Sequence, residues 1–186
     1  MSSFKDNGAY MRRVLSKIFY MRPAIEVAPE ILGKFLVMRQ ARDTFTECMI
    51  TEAEAYDGFD DKASHASCGR TARNAPMFEA GGIWYIYFVY GMYEMLNIVT
   101  GPKEYPAAVL IRGVVGADGP GKLTRMFGIT RAYNGKPAVR ASGLWIEDRG
   151  ITVLKSRIQK SPRIGVSYAG PEWAGKPYRF SIIKEV

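Results

Sequence analysis

The fold is decided by residues 83–97, whose sequence is IWYIYFVYGMYEMLN. Aromatic and β-branched residues favour the pleated surface of a strand, so residues 83–90 are predicted to form one. Gly91 interrupts the run, and the apolar residues 94–100 predict a return strand. We therefore expect a β-hairpin with Tyr90, Gly91, Met92 and Tyr93 near its tip.

Alternation along the first strand divides its side chains between two faces. One face carries Tyr85, Tyr87 and Val89, and the other carries Trp84, Ile86, Phe88 and Tyr90. Most aromatic strands simply fill a core. However, each buried tyrosine hydroxyl needs a hydrogen-bond partner, and a tyrosine at a hairpin tip can act as a wedge between nucleic-acid bases. Both interpretations remain open at this point.

Length and composition indicate one globular domain spanning residues 1–186. The sequence has 47% apolar and 24% charged residues, which is ordinary for a folded domain. No apolar run approaches the roughly 18 residues that a membrane-spanning helix needs, and the first residues lack the apolar core of a signal peptide. We therefore expect an intracellular protein that is not attached to a membrane. It would work in the cytoplasm or nucleoid of a prokaryote, or in the nucleus of a eukaryote.

The charge pattern favours a polyanionic partner. The net charge is +8, which is typical of proteins that bind nucleic acid and, less often, anionic membranes. Five carboxylates nevertheless crowd residues 52–61. Two cysteines and one histidine make neither a disulfide framework nor a zinc motif, so we expect no metal and no cofactor.

Periodicity and turn residues outline the remaining elements of a mixed α/β (α+β) domain. An amphipathic helix is predicted over residues 10–19, within an N-terminal segment 1–20, and ends before Pro23. Pro29 is predicted to open a one-turn helix that stops at Gly33. Further strands are predicted at residues 34–39, 44–56, 107–115, 143–147, 163–167 and 178–183, and a helix at residues 124–127.

The strand at residues 44–56 ends in carboxylates. Alternation assigns Cys48, Ile50, Glu52, Glu54 and Tyr56 to one face, which begins apolar and ends acidic. Its carboxylates are either surface groups at the exit of the strand or members of a pocket. The long loop at residues 57–76 joins this strand to the hairpin and contains the only histidine; loops of this length inside a compact domain are usually functional or disordered.

Two basic side chains stand in informative positions. Arg112 lies within the apolar run 107–115 and needs an anionic partner, for which Glu54 is the natural candidate. This pair is either structural or catalytic. Lys122 lies in the glycine-rich turn at residues 118–123, ahead of a helix, where a phosphate can bind, although the spacing differs from that of a nucleotide-binding P-loop.

An ordered set of segments resembles the alkyladenine (3-methyladenine) DNA glycosylases of the mammalian type. The segments are TEAEAY at 51–56, DDKASH at 60–65, RTARN at 70–74, MF at 77–78, YIYFVYGMYEMLN at 85–97, VLIR at 109–112, GPGKL at 119–123, RIGV at 163–166 and KPYRF at 176–180. The resemblance implies a single domain with a curved, mostly antiparallel sheet, surrounding helices and a protruding β-hairpin.

The resemblance also implies roles for individual residues. These are Glu54 as the catalytic glutamate; Arg112 and the main-chain carbonyl of Ile164 beside the catalytic water; Tyr56, His65 and Tyr87 as walls around the flipped base; Asn97 as the residue that disfavours the 2-amino group of guanine; and Tyr90 as the wedge. The expected DNA-contacting set is Tyr90, Met92, Arg70, Arg73 and Lys122.

The implied activity is base excision from double-stranded DNA that contains damaged purines. The damaged base is flipped out of the duplex, and a water activated by Glu54 hydrolyses the N-glycosidic bond to leave an abasic site. The expected substrates are 3-methyladenine, 7-methylguanine, hypoxanthine and ethenoadenine. We expect no lyase activity, because no essential lysine accompanies Glu54. We also expect the protein to be a monomer.

Two other function classes remain. A non-enzymatic nucleic-acid module would stack bases on the strand aromatics, but the run 83–91 lacks the signature of an RNA-recognition domain. A metal-dependent phosphodiesterase would use the carboxylates of residues 52–61 as oxygen ligands.

Overall fold

The computed structural model describes residues 12–41, 44–89 and 91–183. The strands of this part of the chain are β1 Arg13–Val14, β2 Phe35–Arg39, β3 Phe45–Asp57, β4 Trp84–Val89, β5 Tyr93–Val99, β6 Ala107–Val114, β7 Ala117–Asp118, β8 Leu144–Asp148, β9 Ile158–Ser161 and β10 Arg179–Ile182. The α-helices are α1 Lys17–Tyr20, α2 Ala24–Glu30, α3 Pro120–Phe127 and α4 Gly170–Gly175. Short 3-10 helices occupy Ala75–Phe78, Arg131–Tyr133, Arg140–Ser142, Lys155–Arg157 and Ser167–Ala169.

The described strands form one sheet in the order β1-β8-β2-β3-β6-β5-β4, with β7, β9 and β10 attached beside this path. Every pairing between them is antiparallel. Strand β3 is the longest at 13 residues. Its first half pairs with β2, its second half pairs with β10 on the same edge, and β6 runs along the other edge. The prediction of a mixed α/β fold with a mostly antiparallel sheet is confirmed.

The sheet is buried on both faces, which explains the apolar strand sequences. The main core lies on one face, where α2 and α3 pack against β3 and β5 around Trp84, Ile98 and Ile111. The opposite face carries a smaller cluster in which Tyr85 packs with Met77 and other residues beneath the 57–78 segment. The predicted site residues Tyr56, His65 and Tyr87 lie on this second face.

An irregularity in the pairing of β3 with β6 changes which face each side chain occupies. The register shifts on both sides of Glu52. In β3 the side chains buried in the main core are those of Ile50, Ala53 and Ala55. The step from Ile50 to Ala53 is three residues, whereas a regular strand returns to the same face every two residues. Strand β6 makes the same step, from Ile111 to Val114.

The predicted shared face of Cys48, Ile50, Glu52, Glu54 and Tyr56 is therefore wrong in its first half. Ile50 is buried in the main core and Cys48 packs against it, whereas Glu54 and Tyr56 point to the opposite face. The cause is the bulge, because one extra residue reverses the alternation beyond it. Gly113 permits the close approach of the strands at this point, since a Cβ there would lie 3.3 Å from Cβ of Glu52.

The hairpin is confirmed. Strands β4 and β5 pair in register from Trp84 opposite Ile98 to Val89 opposite Tyr93. Gly91 takes a left-handed conformation with φ of 68° in the turn, which glycine adopts at little cost. Tyr90, predicted at the tip, lies outside the described residues.

The predicted N-terminal helix over residues 10–19 is wrong in its described part. Arg13–Val14 is a strand paired with β8, the N–H of Leu15 donates to Ile146, and only Lys17–Tyr20 is helical. Pairing with the edge of the sheet overrides the helical periodicity of the segment. The earlier residues of the predicted helix lie outside the described part of the chain.

Two further sequence predictions are wrong, one for the helix at Pro29 and one for the strand at residues 163–167. Helix α2 begins directly after Pro23 and contains Pro29 near its end, and the Asp57 carboxylate accepts a hydrogen bond from the N–H of Ala24 at its start. The predicted strand at 163–167 is instead a turn leading into a 3-10 helix, because Gly165 has φ of 77°. Strand β9 lies just before this turn. Within the described residues, no helix has the length and apolar character that crossing a membrane requires.

The contact between Gly81 and α1 gives a test of the packing. A Cβ at Gly81 would lie 2.4 Å from the carbonyl oxygen of Tyr20, so Gly81→Ala is expected to lower the free energy of unfolding by about 2 kcal/mol. Gly175→Ala is the matched control, since its Cβ would meet nothing within 4 Å. Denaturant unfolding of both variants checks this, and equal stabilities would contradict the described packing at Gly81.

Candidate active site

A narrow cavity opens on the second face of the sheet. Strands β3, β4 and β5 supply its floor, and the 57–78 segment and the 3-10 helix after Val166 supply its walls. The lining residues are Tyr56, Ala63, His65, Met77, Tyr85, Tyr87, Asn97, Ala108 and Tyr168. Four tyrosines and a histidine around one cavity make a site suited to a flat aromatic ligand.

Glu54 lies beside this cavity and is fully buried. Its Oε2 accepts a hydrogen bond from the hydroxyl of Tyr56 at 2.9 Å, which connects it to the cavity wall. Its Oε1 accepts from the main-chain N–H of Ile164 at 2.9 Å and lies 3.4 Å from Nη1 of Arg112. The predicted pairing of Arg112 with Glu54 is confirmed.

Burial raises the pKa of Glu54 above its ordinary value, because desolvation disfavours the charged carboxylate. Arg112, the N–H of Ile164 and the hydroxyl of Tyr56 oppose this and favour the anion, while the nearby charge of Glu52 raises the pKa further. Burial likewise raises the pKa of Tyr56, so its hydroxyl stays protonated and donates to Glu54. The site therefore holds a desolvated carboxylate that three groups stabilise.

His65 and the tyrosines of β4 form the aromatic part of the cavity. The ring centroids of His65 and Tyr87 are 4.5 Å apart with the planes at 72°, and Nδ1 of His65 lies 3.0 Å from the hydroxyl of Tyr85. Desolvation, with a smaller contribution from the charge of Arg73, lowers the pKa of His65. Desolvation also raises the pKa of Tyr85 to about 12. These rings are consequently neutral at pH 7.

Asn97 is buried and held rigidly at the floor of the cavity. Its Nδ2 donates to the main-chain carbonyls of Tyr85 and Met95, both at 3.1 Å. Both N–H bonds of the side-chain amide are thus occupied. The side chain cannot swing aside without breaking them, so it fixes the depth of the cavity at this point.

A buried ion pair holds the cavity walls together. Nη1 and Nη2 of Arg163 each bind one carboxylate oxygen of Asp61, and both side chains are fully buried. Nη1 of Arg163 also donates to the carbonyl of Ala55 at 2.8 Å. The guanidinium carbon lies 4.7 Å from the ring centroid of Tyr56 and 5.2 Å from that of Tyr178. This contact ties the 57–65 loop, strand β3 and the turn at Ile164 into one unit.

Basic side chains flank the hairpin. Arg73 donates to the carbonyl of Phe88 at 3.0 Å and lies over the ring of Tyr87. Arg125 and Arg131, which the sequence analysis did not single out, lie over the rings of Tyr93 and Phe88. Each is a cation beside the aromatic hairpin.

The other predicted DNA contacts are less closely gathered. Met92 is 60% exposed in the hairpin turn, and Lys122 is exposed on α3, which packs against β5. Arg70 lies over Phe78 and faces the carboxylates of Glu79 and Glu104, so its charge is partly offset.

Three of the five carboxylates at residues 52–61 pair with arginines, and one of these pairs is that of Glu54 with Arg112. Glu52 binds Arg112 and Arg179, and Asp61 binds Arg163. Among the described residues, no three histidine, cysteine, aspartate or glutamate side chains are grouped as a metal ion would require. The geometry gives no support to the phosphodiesterase hypothesis.

Of the predicted site residues, Glu54, Arg112, Ile164, Tyr56, His65, Tyr87 and Asn97 are brought together around the cavity. Sequence reasoning missed Tyr168, whose hydroxyl donates to the carbonyl of Ala63 and which lines the cavity mouth. It also missed the Arg163–Asp61 pair. Alternation in β4 could have identified Tyr85, but no local signal identifies Tyr168, because its partner lies 105 positions away.

Comparison with known proteins gives a consistent result. The sequence model of the methylpurine-DNA glycosylase family matches residues 18–117 and 116–185. A relative from Methanocella arvoryzae is 46% identical and is aligned over 90% of this chain and 91% of its own length. A relative from Myxococcus xanthus is 40% identical over 89% of this chain and 88% of its own, and one from Ehrlichia ruminantium is 37% identical over 86% of each. All three carry the provisional name 3-methyladenine DNA glycosylase.

The Asp61–Arg163 pair gives a stability test. Asp61→Asn leaves a buried guanidinium without its counter-charge, so we expect the free energy of unfolding to fall by about 3 kcal/mol. Glu172→Gln removes a carboxylate from an exposed ion pair with Lys176 and is the control, with an expected change within about 0.5 kcal/mol. Chemical denaturation measures both, and a change in Asp61→Asn no larger than the control contradicts the proposed role of the pair in stability.

Proposed function

The chain belongs to the methylpurine-DNA glycosylase family, and on that premise we propose that it excises damaged purines from double-stranded DNA as a monofunctional enzyme. The family activity is hydrolysis of N-glycosyl bonds in DNA, a step of base excision repair. The proposal adds the substrate, the catalytic residues and the product. The substrate is a flipped-out alkylated or deaminated purine. Glu54 activates the attacking water, with Arg112 and Ile164 beside it. The product is an abasic site in an uncut strand.

The observation that carries the proposal is the fully buried Glu54 beside an aromatic cavity. Cleavage of an N-glycosidic bond passes through a sugar with oxocarbenium character. A carboxylate in a water-poor site stabilises that positive charge more strongly than it would in water. The same carboxylate accepts a proton from the attacking water. Arg112 and the N–H of Ile164 favour the ionised form of Glu54 and hold its carboxylate in place, and the main-chain carbonyl of Ile164 is proposed to face the same water.

The aromatic residues supply the base-binding part. Tyr56, His65 and Tyr87 would enclose the flipped purine, and their π-faces attract the positive charge that 3-methyladenine and 7-methylguanine carry. Neutral hypoxanthine and ethenoadenine would bind by stacking alone. Asn97, fixed by its two hydrogen bonds, would meet the 2-amino group of guanine and disfavour it.

Access to this cavity requires base flipping, because the glycosidic bond of a stacked nucleotide is out of reach. Tyr90 is proposed as the side chain that enters the duplex in place of the flipped nucleotide, at the turn between β4 and β5. Met92 next to it, with Arg70, Arg73 and Lys122, is proposed to contact the DNA. Basic side chains along the hairpin would neutralise phosphates, so binding should weaken as salt rises.

The monofunctional, water-dependent mechanism follows from the contacts of Glu54. Lyase activity requires an amine that attacks the sugar and forms a Schiff base. In the described part of the chain, the groups that contact Glu54 are Tyr56, Ile164 and Arg112, and the cavity lining contains no lysine. We propose that the protein acts as a monomer and uses no cofactor.

Release of free base distinguishes this proposal from the alternatives. The protein is incubated with duplexes that each carry one 3-methyladenine, 7-methylguanine, hypoxanthine or ethenoadenine, with and without EDTA. A glycosylase releases the base in both conditions and leaves the strand uncut until alkali is added. A non-enzymatic module binds the duplex without base release, and a metal-dependent phosphodiesterase cuts the strand only without EDTA.

The role of Glu54 is tested by Glu54→Gln. This variant keeps the shape of the side chain but loses the base, so lesion-duplex affinity should stay within about threefold while excision falls by about 10³-fold or more. Binding by fluorescence anisotropy and single-turnover excision measure the two effects. The matched control is Glu30→Gln, which removes a carboxylate from an exposed pair with Arg22 and should leave excision unchanged. Comparable excision by both variants would remove Glu54 from the mechanism.

The role of Asn97 is tested by Asn97→Ser. The smaller side chain leaves space for an exocyclic amino group, so excision of unmodified guanine relative to hypoxanthine should rise by about tenfold. The ratio of the two single-turnover rates gives the answer for wild type and variant. An unchanged ratio in a variant of normal thermal stability would show that Asn97 does not select the base.

A further inference from the structure

Two charged residues to which the proposed mechanism gives no role, Glu52 and Arg179, complete a chain of alternating charges that ends at Glu54. Nε of Arg112 donates to Oε1 of Glu52 at 3.2 Å, while its Nη1 lies 3.4 Å from Oε1 of Glu54. The same Oε1 of Glu52 accepts from Nη1 of Arg179 at 2.9 Å. The order is Arg179, Glu52, Arg112 and Glu54, so Arg112 is shared between two carboxylates.

Arg179 also acts on the second group that holds Glu54. Its Nε donates to Oγ of Ser161 at 3.0 Å and to the carbonyl of Pro162 at 3.1 Å. Two residues later, Ile164 donates its N–H to Oε1 of Glu54. The contacts therefore close a ring that starts and ends at one oxygen of Glu54.

We propose that Glu52 and Arg179 are positioning residues of the excision reaction, which place Arg112 and the turn at Ile164 on the same oxygen of Glu54 and divide the charge of Arg112 between the two carboxylates. The inference rests on the proposed function of Glu54 as the base. Both residues act through Arg112 and Ile164 and contact neither the bound purine nor the sugar.

The charges of Glu52 and Arg179 therefore shift the pKa of Glu54 in opposite directions. Glu52 repels the charge of Glu54 and draws Arg112 away from it, so removing the charge of Glu52 favours ionised Glu54. Arg179 offsets the charge of Glu52, so removing Arg179 strengthens both effects of Glu52 and favours protonated Glu54. Damage to the fold has no reason to act in opposite directions for these two substitutions.

Other charged or titratable groups near Glu54 stay constant in this comparison. They are Tyr56 on β3, which donates to Glu54; Tyr87 on β4 and Arg163 beside Ile164, whose own pKa values are raised in part by the charge of Glu54; and Arg112 on β6. Burial, the largest influence on the pKa of Glu54, is likewise unchanged by substitution at Glu52 with glutamine.

The experiment measures single-turnover excision against pH for wild type, Glu52→Gln and Arg179→Met. Excision needs ionised Glu54, so each profile falls on its acidic side with a midpoint that reports the protonation of this carboxylate. The midpoint is expected to move to lower pH by about one pH unit in Glu52→Gln, and to higher pH in Arg179→Met. Arg179→Lys keeps the charge but not the Nε contacts, so it should keep the midpoint and lower only the plateau rate.

A second measurement is independent of activity. The protein is labelled with ¹³C at the glutamate side-chain carboxyls, and the Glu54 signal is assigned from its loss in Glu54→Gln. Its titration should show the same opposite shifts in the two variants. Glu30→Gln, in an ion pair remote from the cavity, is the control and should leave both the excision profile and the Glu54 titration unchanged.

The inference is overturned if the Glu54 titration midpoints of Glu52→Gln and Arg179→Met are unchanged, or if they move in the same direction. If wild type releases no purine from any lesion duplex, the proposed function fails, and the carboxyl titration still decides the inference about charge. If excision depends on Glu54 but Glu52→Gln shifts neither profile, the positioning role alone fails.

Discussion

The bulge where β3 crosses β6 is the constraint on which the site depends. A regular strand would place Ile50 and Glu54 on one face, and the Glu54 carboxylate would then lie among the aliphatic side chains of the main core. One extra residue in each strand lets Ile50 and Val114 stay in that core while Glu52 and Arg112 face the other way. Bulges next to active sites commonly re-aim side chains in this manner. Here the bulge places apolar side chains on one face of two adjacent strands and charged side chains on the other.

Burial of charge is costly, and at Glu54 and Asp61 an arginine and a backbone donor together offset that cost. Glu54 has Arg112 and the N–H of Ile164, and Asp61 has Arg163 and the N–H of Ala63. The pattern differs from that of a purely structural ion pair, because Arg112 is not dedicated to Glu54. An arginine shared with a second carboxylate neutralises Glu54 less strongly than a dedicated arginine would, which suits the proposed role of Glu54 in attracting a developing positive charge.

The sequence predicted the elements whose signals are local. The aromatic alternation of residues 83–90 and Gly91 were enough for the hairpin, and the lone Arg112 in an apolar run was enough to pair it with Glu54. The failures share a cause, since each was decided by a contact with a distant segment. Residues 13–15 became a strand edge because β8 was available, and the RIGV segment became a turn in which Arg163 binds Asp61, 102 positions away. The family resemblance named the residues around the cavity, but neither it nor the pattern gave Tyr168 or Arg179 a role, and Glu52 was identified only as one carboxylate of the acidic strand end.

The long-range pairing of β3 has a consequence for how the protein folds. The hydrogen bonds that define the surroundings of Glu52 and Glu54 join residues 60, 110 and 127 positions apart. Contacts of this separation form slowly, because the entropic cost of closing a long loop precedes the stabilisation that the contact provides. The hairpin joins neighbouring segments and can form early, whereas the contact of Arg179 with Glu52 exists only once β10 has paired with β3. Detachment of β10 alone takes Arg179 away from Glu52, so the charge balance around Glu52 can change without unfolding of the rest of the sheet.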